Sequence, residues 1–223
     1  MMELNQWKET ILNQLINQQK YLFNTPQNGE AWELLSHLGD NSSNLVFLDP
    51  QYEPVRNMVS TNYPLSSQSD YQILWILEQV ERVLKPSAFA LLWVNKTLLG
   101  NDRVPLWLLK TPFLKVVDCL VWHKKNFLGL GNWLRSNAEF CFLLQKYPQS
   151  GKVFKNRSFG NVWEEVPISV AKRKHPHQKP RELIRALIEA TTNENDLVVD
   201  PCAGSFMGLE TSFVSTKVCS KLF

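Results

Sequence analysis

The sequence lacks several features that define large classes of protein. No apolar run approaches the roughly 18 residues that a membrane span requires, and the polar start, Met1 to Lys8, is not a secretion signal. The cysteines form no Cys-x-x-Cys pair and are widely spaced among apolar residues: Cys119, Cys141, Cys202 and Cys219. We therefore expect a cytoplasmic protein without a membrane segment, whose cysteines are reduced and bind no metal.

The length and the apolar content are those of a folded enzyme-sized domain. The chain has 223 residues, of which 44% are hydrophobic, and these include 8 Trp and 12 Phe. Such a composition excludes a disordered chain, and the length suits one α/β domain better than two. We expect a single domain over residues 1–223.

Charge is distributed unevenly along the chain. Residues 1–121 carry nine Lys/Arg against twelve Asp/Glu, whereas the remainder carries fifteen against nine. Most of the basic excess lies between Gln145 and Arg181, and a phosphate backbone is the obvious partner for it. A solvated basic face is the alternative interpretation.

Two short apolar runs are each followed by a carboxylate and a proline. Leu45 to Leu48 indicate a buried strand that Pro50 ends, so Asp49 lies at a carboxyl strand end, where ligands bind in open α/β sheets. Leu197 to Val199 indicate a second such strand, and the small residues from Asp200 to Ser205 let backbone amides approach a ligand. A plain Asp-Pro turn with Tyr52 in the core remains the alternative for the first.

Together these stretches resemble the amino-group DNA methyltransferases. Asp49-Pro50-Gln51-Tyr52 matches, with one exception, their Asp-Pro-Pro-Tyr catalytic motif, and Asp200 to Ser205 matches their S-adenosylmethionine loop. The catalytic motif comes first, which is the β-class order, and restriction-modification members of that class mostly methylate adenine N6. The resemblance implies a circularly permuted, Rossmann-like α/β domain whose mixed, mostly parallel sheet is flanked by helices.

The resemblance also implies roles for individual residues. Asp49 and the Pro50 carbonyl would accept hydrogens of the target amino group, while Tyr52 would stack on the extruded base. His175 to Pro180 resemble a His-Pro-x-Gln-Lys-Pro signature, and a metal at His175 and His177 would lack a third ligand. Glu30 would bind the cofactor's adenosine or merely complement a helix end. The implied S-adenosylmethionine-binding residues are Glu30, Ala31, Asp49, His175, Gln178, Lys179, Pro180, Asp200, Pro201, Cys202, Ala203, Gly204 and Ser205.

Three segments are candidates for contact with double-stranded DNA. Residues 53–69 predict a mobile loop that closes over DNA, and residues 145–175 predict a small basic target-recognition segment. Between them, residues 123–137 mix basic residues, aromatics and glycines, as a flipped-base loop does, although a long hairpin turn is the alternative. The candidate DNA-binding residues are Trp122, Lys124, Lys125, Arg135, Lys152, Lys155, Arg157, Lys172, Arg173 and Lys174.

Three departures from the family pattern bear on the function. Gln51 replaces the second proline, Phe206 replaces a glycine of the cofactor loop, and Ser212 to Phe223 contain no acid to hold the ribose. The last departure predicts a truncated or altered carboxyl end. The expected function is adenine-N6 methylation of duplex DNA, with a homodimer and a cognate restriction endonuclease as further partners. The alternatives are a DNA-binding relative that has lost cofactor affinity and an N4-cytosine enzyme.

Periodicity predicts the secondary structure around these motifs. Apolar residues at helical spacing and short apolar runs give the following elements: a helix over 3–22, a short helix after Gly29, a helix over 73–84 ended by Pro86, a strand over 88–94, a helix at 106–109, an antiparallel pair over 114–122 and 139–145, and a helix after Pro180.

Overall fold

The computed structural model describes residues 27–52, 67–129, 133–172, 178–203 and 217–222. The predicted helix over 3–22, most of the predicted loop over 53–69 and some of the candidate site residues lie outside these ranges. Those site residues are Arg173, Lys174, His175, Gly204 and Ser205.

The described chain alternates strands and helices. The strands are β1 (Gln27–Asn28), β2 (Ser43–Leu48), β3 (Leu84–Val94), β4 (Leu114–Lys124), β5 (Ala138–Lys146), β6 (Val162–Glu165), β7 (Leu197–Asp200) and β8 (Lys217–Leu222). The helices are α1 (Ala31–Ser36), α2 (Asp70–Val83), α3 (Lys96–Leu99), α4 (Arg103–Trp107) and α5 (Arg181–Thr191), with short 3-10 turns at Gly151–Val153 and Val170–Lys172.

All of these strands join one sheet in the order β1-β8-β7-β2-β3-β5-β4-β6. The neighbours from β1 to β3 are parallel, β5 is antiparallel to both β3 and β4, and β6 is parallel to β4. The prediction of a mixed, mostly parallel sheet flanked by helices is therefore confirmed. β2, α2 and β3 form the predicted β-loop-α-β unit, because β2 and β3 are parallel neighbours.

Helices cover both faces of the sheet because the strand side chains alternate between them. Along β2, Val46 and Leu48 pack in one buried cluster with α1, α2 and α4. Leu45 and Phe47 pack in a second cluster with α5 on the opposite face. Asp49 is thus the first residue beyond a strand that is buried on both faces.

Local capping explains where the helices begin. α2 starts at Asp70, three residues before its apolar stripe, because Ser69 and Gln72 form a reciprocal capping box. Pro180 occupies the N-cap of α5, directly before the first helical residue, Arg181. The carboxylate of Glu165, at the end of β6, accepts the Leu183 backbone amide at 3.1 Å, which supports the same helix end.

The antiparallel pair of β4 and β5 is confirmed, whereas the helix predicted at 106–109 begins earlier, at Arg103.

Part of the predicted recognition segment is structural, because β6 adds a strand beside β4 and Phe154, Phe159 and Trp163 pack on the core. No helix in the described ranges has the length and apolarity to cross a membrane.

Candidate active site

The strand order brings most of the predicted site residues to one edge of the sheet. Asp200 ends β7, Asp49 follows β2 and Asn95 follows β3, and these three parallel strands are neighbours. β5 runs the opposite way, so its first residues, including Glu139, lie at the same edge, where Phe140 pairs with Val94. We call this edge, at the carboxyl ends of the parallel strands, the active edge.

The turn after β2 is tight. The Tyr52 amide donates to the Pro50 carbonyl at 3.0 Å, and the carbonyl of Gln51 accepts the Gln68 amide at 2.5 Å. Tyr52 is half-buried, with its ring 6.2 Å from that of the fully buried Trp107, and burial followed by the nearby Asp49 charge raises the pKa of its hydroxyl. Gln51 therefore leaves the turn intact and is itself tied to Gln68.

Asp49 belongs to a chain of alternating charges. Lys179 Nζ lies 2.7 Å from Asp49 Oδ2 and 3.0 Å from Glu139 Oε2, and Lys124 Nζ lies 2.5 Å from Glu139 Oε1. Burial alone would raise the pKa of Glu139, but Lys179 and Lys124 outweigh it and lower that pKa to about 2. Burial opposes the charge on Lys179 as well, yet Asp49 and Glu139 raise its pKa. The attraction between these opposite charges therefore keeps Glu139 and Lys179 ionised.

An aromatic ring lies close to each of the two ammonium groups in this row of ion pairs. Lys179 Nζ lies 4.9 Å from the centroid of the Trp93 ring, and Lys124 Nζ lies 4.9 Å from the centroid of the Trp122 ring. Cations are attracted to such ring faces, which suits charges that have left water. The side chain of Lys179 keeps only 12% of its surface exposed.

The loop after β7 is buried beside Asp49. Burial, and then the charge of Asp49, raise the pKa of Asp200 to about 7, although the Cys202 amide donates a hydrogen bond to it. Burial, Asp200 and Asp49 together raise the pKa of the Cys202 thiol well above its usual value. A protonated thiol is a poor nucleophile, so Pro201-Cys202 does not form a cysteine-based catalytic site.

Glu30 and Ala31 lie at the same edge because β1 precedes them and β1 is parallel to β8. The chain turns at Gly29 with φ 146°, a conformation that favours glycine. Glu30 is exposed at the N-cap of α1, and its side chain makes no capping hydrogen bond to the described backbone. Ala31 is buried in the same cluster as Leu48 and Val199.

The loop between β4 and β5 presents some of the predicted DNA contacts and buries others. Trp122 does not present a surface to DNA, contrary to expectation, because it is 2% exposed and its Nε1 donates to the Glu165 carbonyl at 3.0 Å. Lys124 is paired with Glu139, whereas Lys125 is exposed. Arg135 crosses the loop to donate to the carbonyls of Leu128 and Gly129.

Lys152, Lys155 and Arg157 lie at the opposite edge of the sheet from Asp49. They follow the carboxyl end of β5, whose seven residue steps from Glu139 to Lys146 span roughly 23 Å. There the Lys155 amide donates to Ala190 and its Nζ to the Thr192 carbonyl, at the far end of α5. Lys172, in contrast, lies in sequence between Glu165 and Lys179, both of which are at the active edge.

Glu139 is the site residue that the sequence interpretation missed. In the sequence, Glu139 indicates only the start of a predicted strand. It is far from Asp49 and Lys179 in sequence, so no local pattern predicts that it contacts the site. The available clue was its strand: a carboxylate placed at the amino end of an apolar antiparallel strand reaches the edge where its parallel neighbours end. Within the described ranges no group of His, Cys, Asp or Glu is arranged to hold a metal ion.

Comparison with known proteins agrees with this geometry. The family model N6_N4_Mtase, described as DNA methylase, matches residues 43–212. Type II methyltransferase M.HhaII of Haemophilus parahaemolyticus is 33% identical over 189 residues, covering 80% of this chain and 81% of that protein. Type II methyltransferase M.BglII of Bacillus subtilis is 27% identical over 248 residues, covering 92% of this chain and 65% of its own length.

Solved structures share the fold. The cytosine-N4-specific PvuII DNA methyltransferase is 17% identical with a TM-score of 0.69, covering 89% of this chain and 81% of that one. The M1.HpyAVI–SAM complex is 19% identical with a TM-score of 0.63, covering 89% and 92%. Since the family model spans most of the chain and M.HhaII is 33% identical over 80% of it, this chain belongs to the N6/N4 DNA methylase family and is a DNA methyltransferase.

Proposed function

We propose that this chain transfers a methyl group from S-adenosylmethionine to the N6 amino group of adenine in double-stranded DNA, as part of a restriction-modification system. The observation that carries the proposal is Asp49 at the active edge, paired with Lys179 at 2.7 Å and followed by the half-buried ring of Tyr52. The Asp that begins the catalytic motif favours adenine over cytosine.

The main task of this site is orientation, because the lone pair of an exocyclic amino group is delocalised into its ring. Asp49 accepts one amino hydrogen, which favours a pyramidal nitrogen. Such a nitrogen can attack the methyl carbon in line with the bond from that carbon to sulfur, which breaks. The Pro50 carbonyl already accepts the Tyr52 amide, and its second lone pair is available for the other hydrogen. Tyr52 offers a ring face to the base, which must leave the duplex to be reached.

The residues present fit S-adenosylmethionine. When bound, it supplies an activated methyl group on a sulfonium. Its ammonium and sulfonium are cationic, and Asp200 and Asp49 place two carboxylates on neighbouring strand ends. Asp200 is buried with a pKa raised to about 7, so a cationic ligand beside it would favour its charged form. The small residues that follow, with buried Ala203 among them, leave room for a ligand against the backbone.

Other partners and the location belong to the same proposal. Duplex DNA is the substrate, and a cognate restriction endonuclease of the same sequence specificity is the functional partner. We propose that the enzyme is cytoplasmic, because its DNA substrate is in the cytoplasm. We also propose that it forms a homodimer.

The first experiment identifies the product. The purified chain is incubated with S-adenosylmethionine and DNA that carries no methylated bases, and the digested nucleosides are analysed by mass spectrometry. We expect N6-methyladenine, and its absence with no other methylated base would contradict the proposal. N4-methylcytosine would instead support the cytosine alternative, and DNA binding without any methylation would support a DNA-binding relative.

A second prediction concerns three consecutive basic residues of the predicted recognition segment, Lys172, Arg173 and Lys174. Replacing Lys172, Arg173 and Lys174 with Gln should weaken DNA binding and reduce the log-log salt slope by about 0.9 for each phosphate that these side chains neutralise. Binding is measured by fluorescence anisotropy over a range of salt concentrations.

The matched control replaces Lys152 and Arg157, which lie at the opposite edge, with Gln. Lys155 is left in place because it hydrogen bonds to the end of α5. If DNA docks at the active edge, the control keeps the wild-type slope. Equal reductions in both variants would show that DNA contacts both edges.

A further inference from the structure

Glu139 is built into the site, yet the chemistry above gives it no task. Its carboxylate is linked to that of the catalytic Asp49 through Lys179. The Lys179 ammonium lies 3.0 Å from Glu139 and 2.7 Å from Asp49. We propose that Lys179 and Glu139 are positioning residues: Glu139 fixes Lys179, and Lys179 fixes one oxygen of Asp49 so that the other faces the target amino group. This inference rests on the proposed function and replaces the role of Lys179 as a cofactor ligand.

The hydrogen-bonding capacity of Lys179 supports this role. An ammonium has three donors, and the group here pairs with Asp49 Oδ2 and Glu139 Oε2 while the Trp93 ring lies 4.9 Å away. Its side chain is only 12% exposed. The carboxylate of a bound cofactor would have to displace a protein carboxylate from a buried pair, which leaves an uncompensated charge.

Glu139 is well placed to hold Lys179 still. Its position is set by the register of β5, in which Glu139 pairs with Trp122 and the next residue, Phe140, pairs with Val94. Both of its oxygens are engaged, Oε1 with Lys124 and Oε2 with Lys179. The carboxylate of Glu139, which pairs with Lys179, is therefore carried by a strand of the sheet and not by a loop.

The consequence for Asp49 is directional. Asp49 follows a strand but lies in a turn, and its side chain keeps 30% of its surface exposed, so the strand alone does not fix its carboxylate. Oδ2 is held by Lys179, and no described residue donates a hydrogen bond to Oδ1, so Oδ1 is left to accept a hydrogen from one direction. Reactions that depend on orientation are sensitive to such support, because a small misplacement of a reacting group costs about a hundredfold in rate.

The test compares Lys179→Met, Glu139→Gln and the double variant. We expect kcat at saturating DNA and S-adenosylmethionine to fall about ten- to a hundredfold in Lys179→Met and less in Glu139→Gln. The double variant should be no slower than Lys179→Met, because Glu139 acts through Lys179. The Kd for S-adenosylmethionine, by calorimetry, and extrusion of the base, by 2-aminopurine fluorescence, should each change by less than about threefold.

Matched controls are Lys110→Met and Glu189→Gln, which remove one member of exposed ion pairs and should leave kcat unchanged. Circular dichroism checks that each variant is folded. If Glu139→Gln does not fold, Glu139→Asp keeps the charge with a shorter reach, and an intermediate kcat is expected.

Two results would overturn the inference. A Kd for S-adenosylmethionine raised about tenfold or more in Lys179→Met, with kcat at saturation unchanged, would make Lys179 a cofactor ligand. Wild-type kcat in both single variants would show that the pairing has no role in positioning. Absence of methyl transfer by the wild-type chain is a different failure, since it removes the proposed function and this inference with it.

Discussion

Asp49→Asn is expected to reduce methyl transfer by about a thousandfold or more, below detection in most assays. The substituted amide keeps the shape of the side chain but has one oxygen instead of two and no negative charge. It therefore accepts the amino hydrogen weakly, and its nitrogen lies as a donor beside Lys179 or the target amine. Single-turnover transfer of a labelled methyl group measures the effect.

The ion pair adds a stability effect to this variant. Because Asp49 is one of the two acids that hold the buried Lys179, we expect Asp49→Asn to lose about 1–3 kcal/mol of unfolding free energy. Asp118→Asn, an exposed change on β4, is the control and should be neutral in both measurements. Methyl transfer within tenfold of wild type by Asp49→Asn would contradict the assignment of Asp49.

Tyr52→Ala should reduce kcat/KM by about ten- to a hundredfold, because stacking on an aromatic ring contributes about 1–3 kcal/mol per base. Tyr52→Phe keeps the stacking face, and we expect it to retain most of the activity. It removes a hydroxyl that is hydrogen bonded to the backbone of Asn95, so its cost of about 1 kcal/mol should appear in stability.

The fluorescence of 2-aminopurine at the target position separates the two variants. Tyr52→Ala should leave the extruded base less populated, while Tyr52→Phe should match the wild type. Tyr71→Ala is the control, because Tyr71 is 86% exposed on α2. If Tyr52→Phe were as slow as Tyr52→Ala, the hydroxyl and not the ring face would be the functional group.

Local patterns were sufficient for much of the fold. The strand before Asp49, the β-loop-α-β unit that follows it, the β4 and β5 pair and the helix after Lys179 were all predicted from apolar spacing and proline positions. These features depend on neighbours within about four residues or on the two-residue alternation of a strand, which a short window of sequence contains. The helix starts are predicted less accurately, because apolar spacing does not detect a polar capping box such as that of Ser69 and Gln72.

The site divides in the same way. The position of Asp49, Tyr52 and Asp200 at strand ends could be predicted from motifs, because the apolar run just before each residue marks the strand. Lys179 was identified, but its partners were not. The basic residues of 145–175 form one segment in sequence, but Lys152 follows the end of β5 that lies opposite the active edge.

The position of Asp49 and Asp200 at strand ends follows from the sequence, because the apolar runs and the prolines that end them are local features of the chain. The groups around these two residues, in contrast, depend on the tertiary structure. Glu139 is 90 residues from Asp49 and 40 from Lys179 in sequence. It reaches them because β5 enters the sheet antiparallel beside β3, so that its first residues meet the ends of the parallel strands. Strand order and direction arise from packing across the whole domain, and no segment of the sequence carries that information alone.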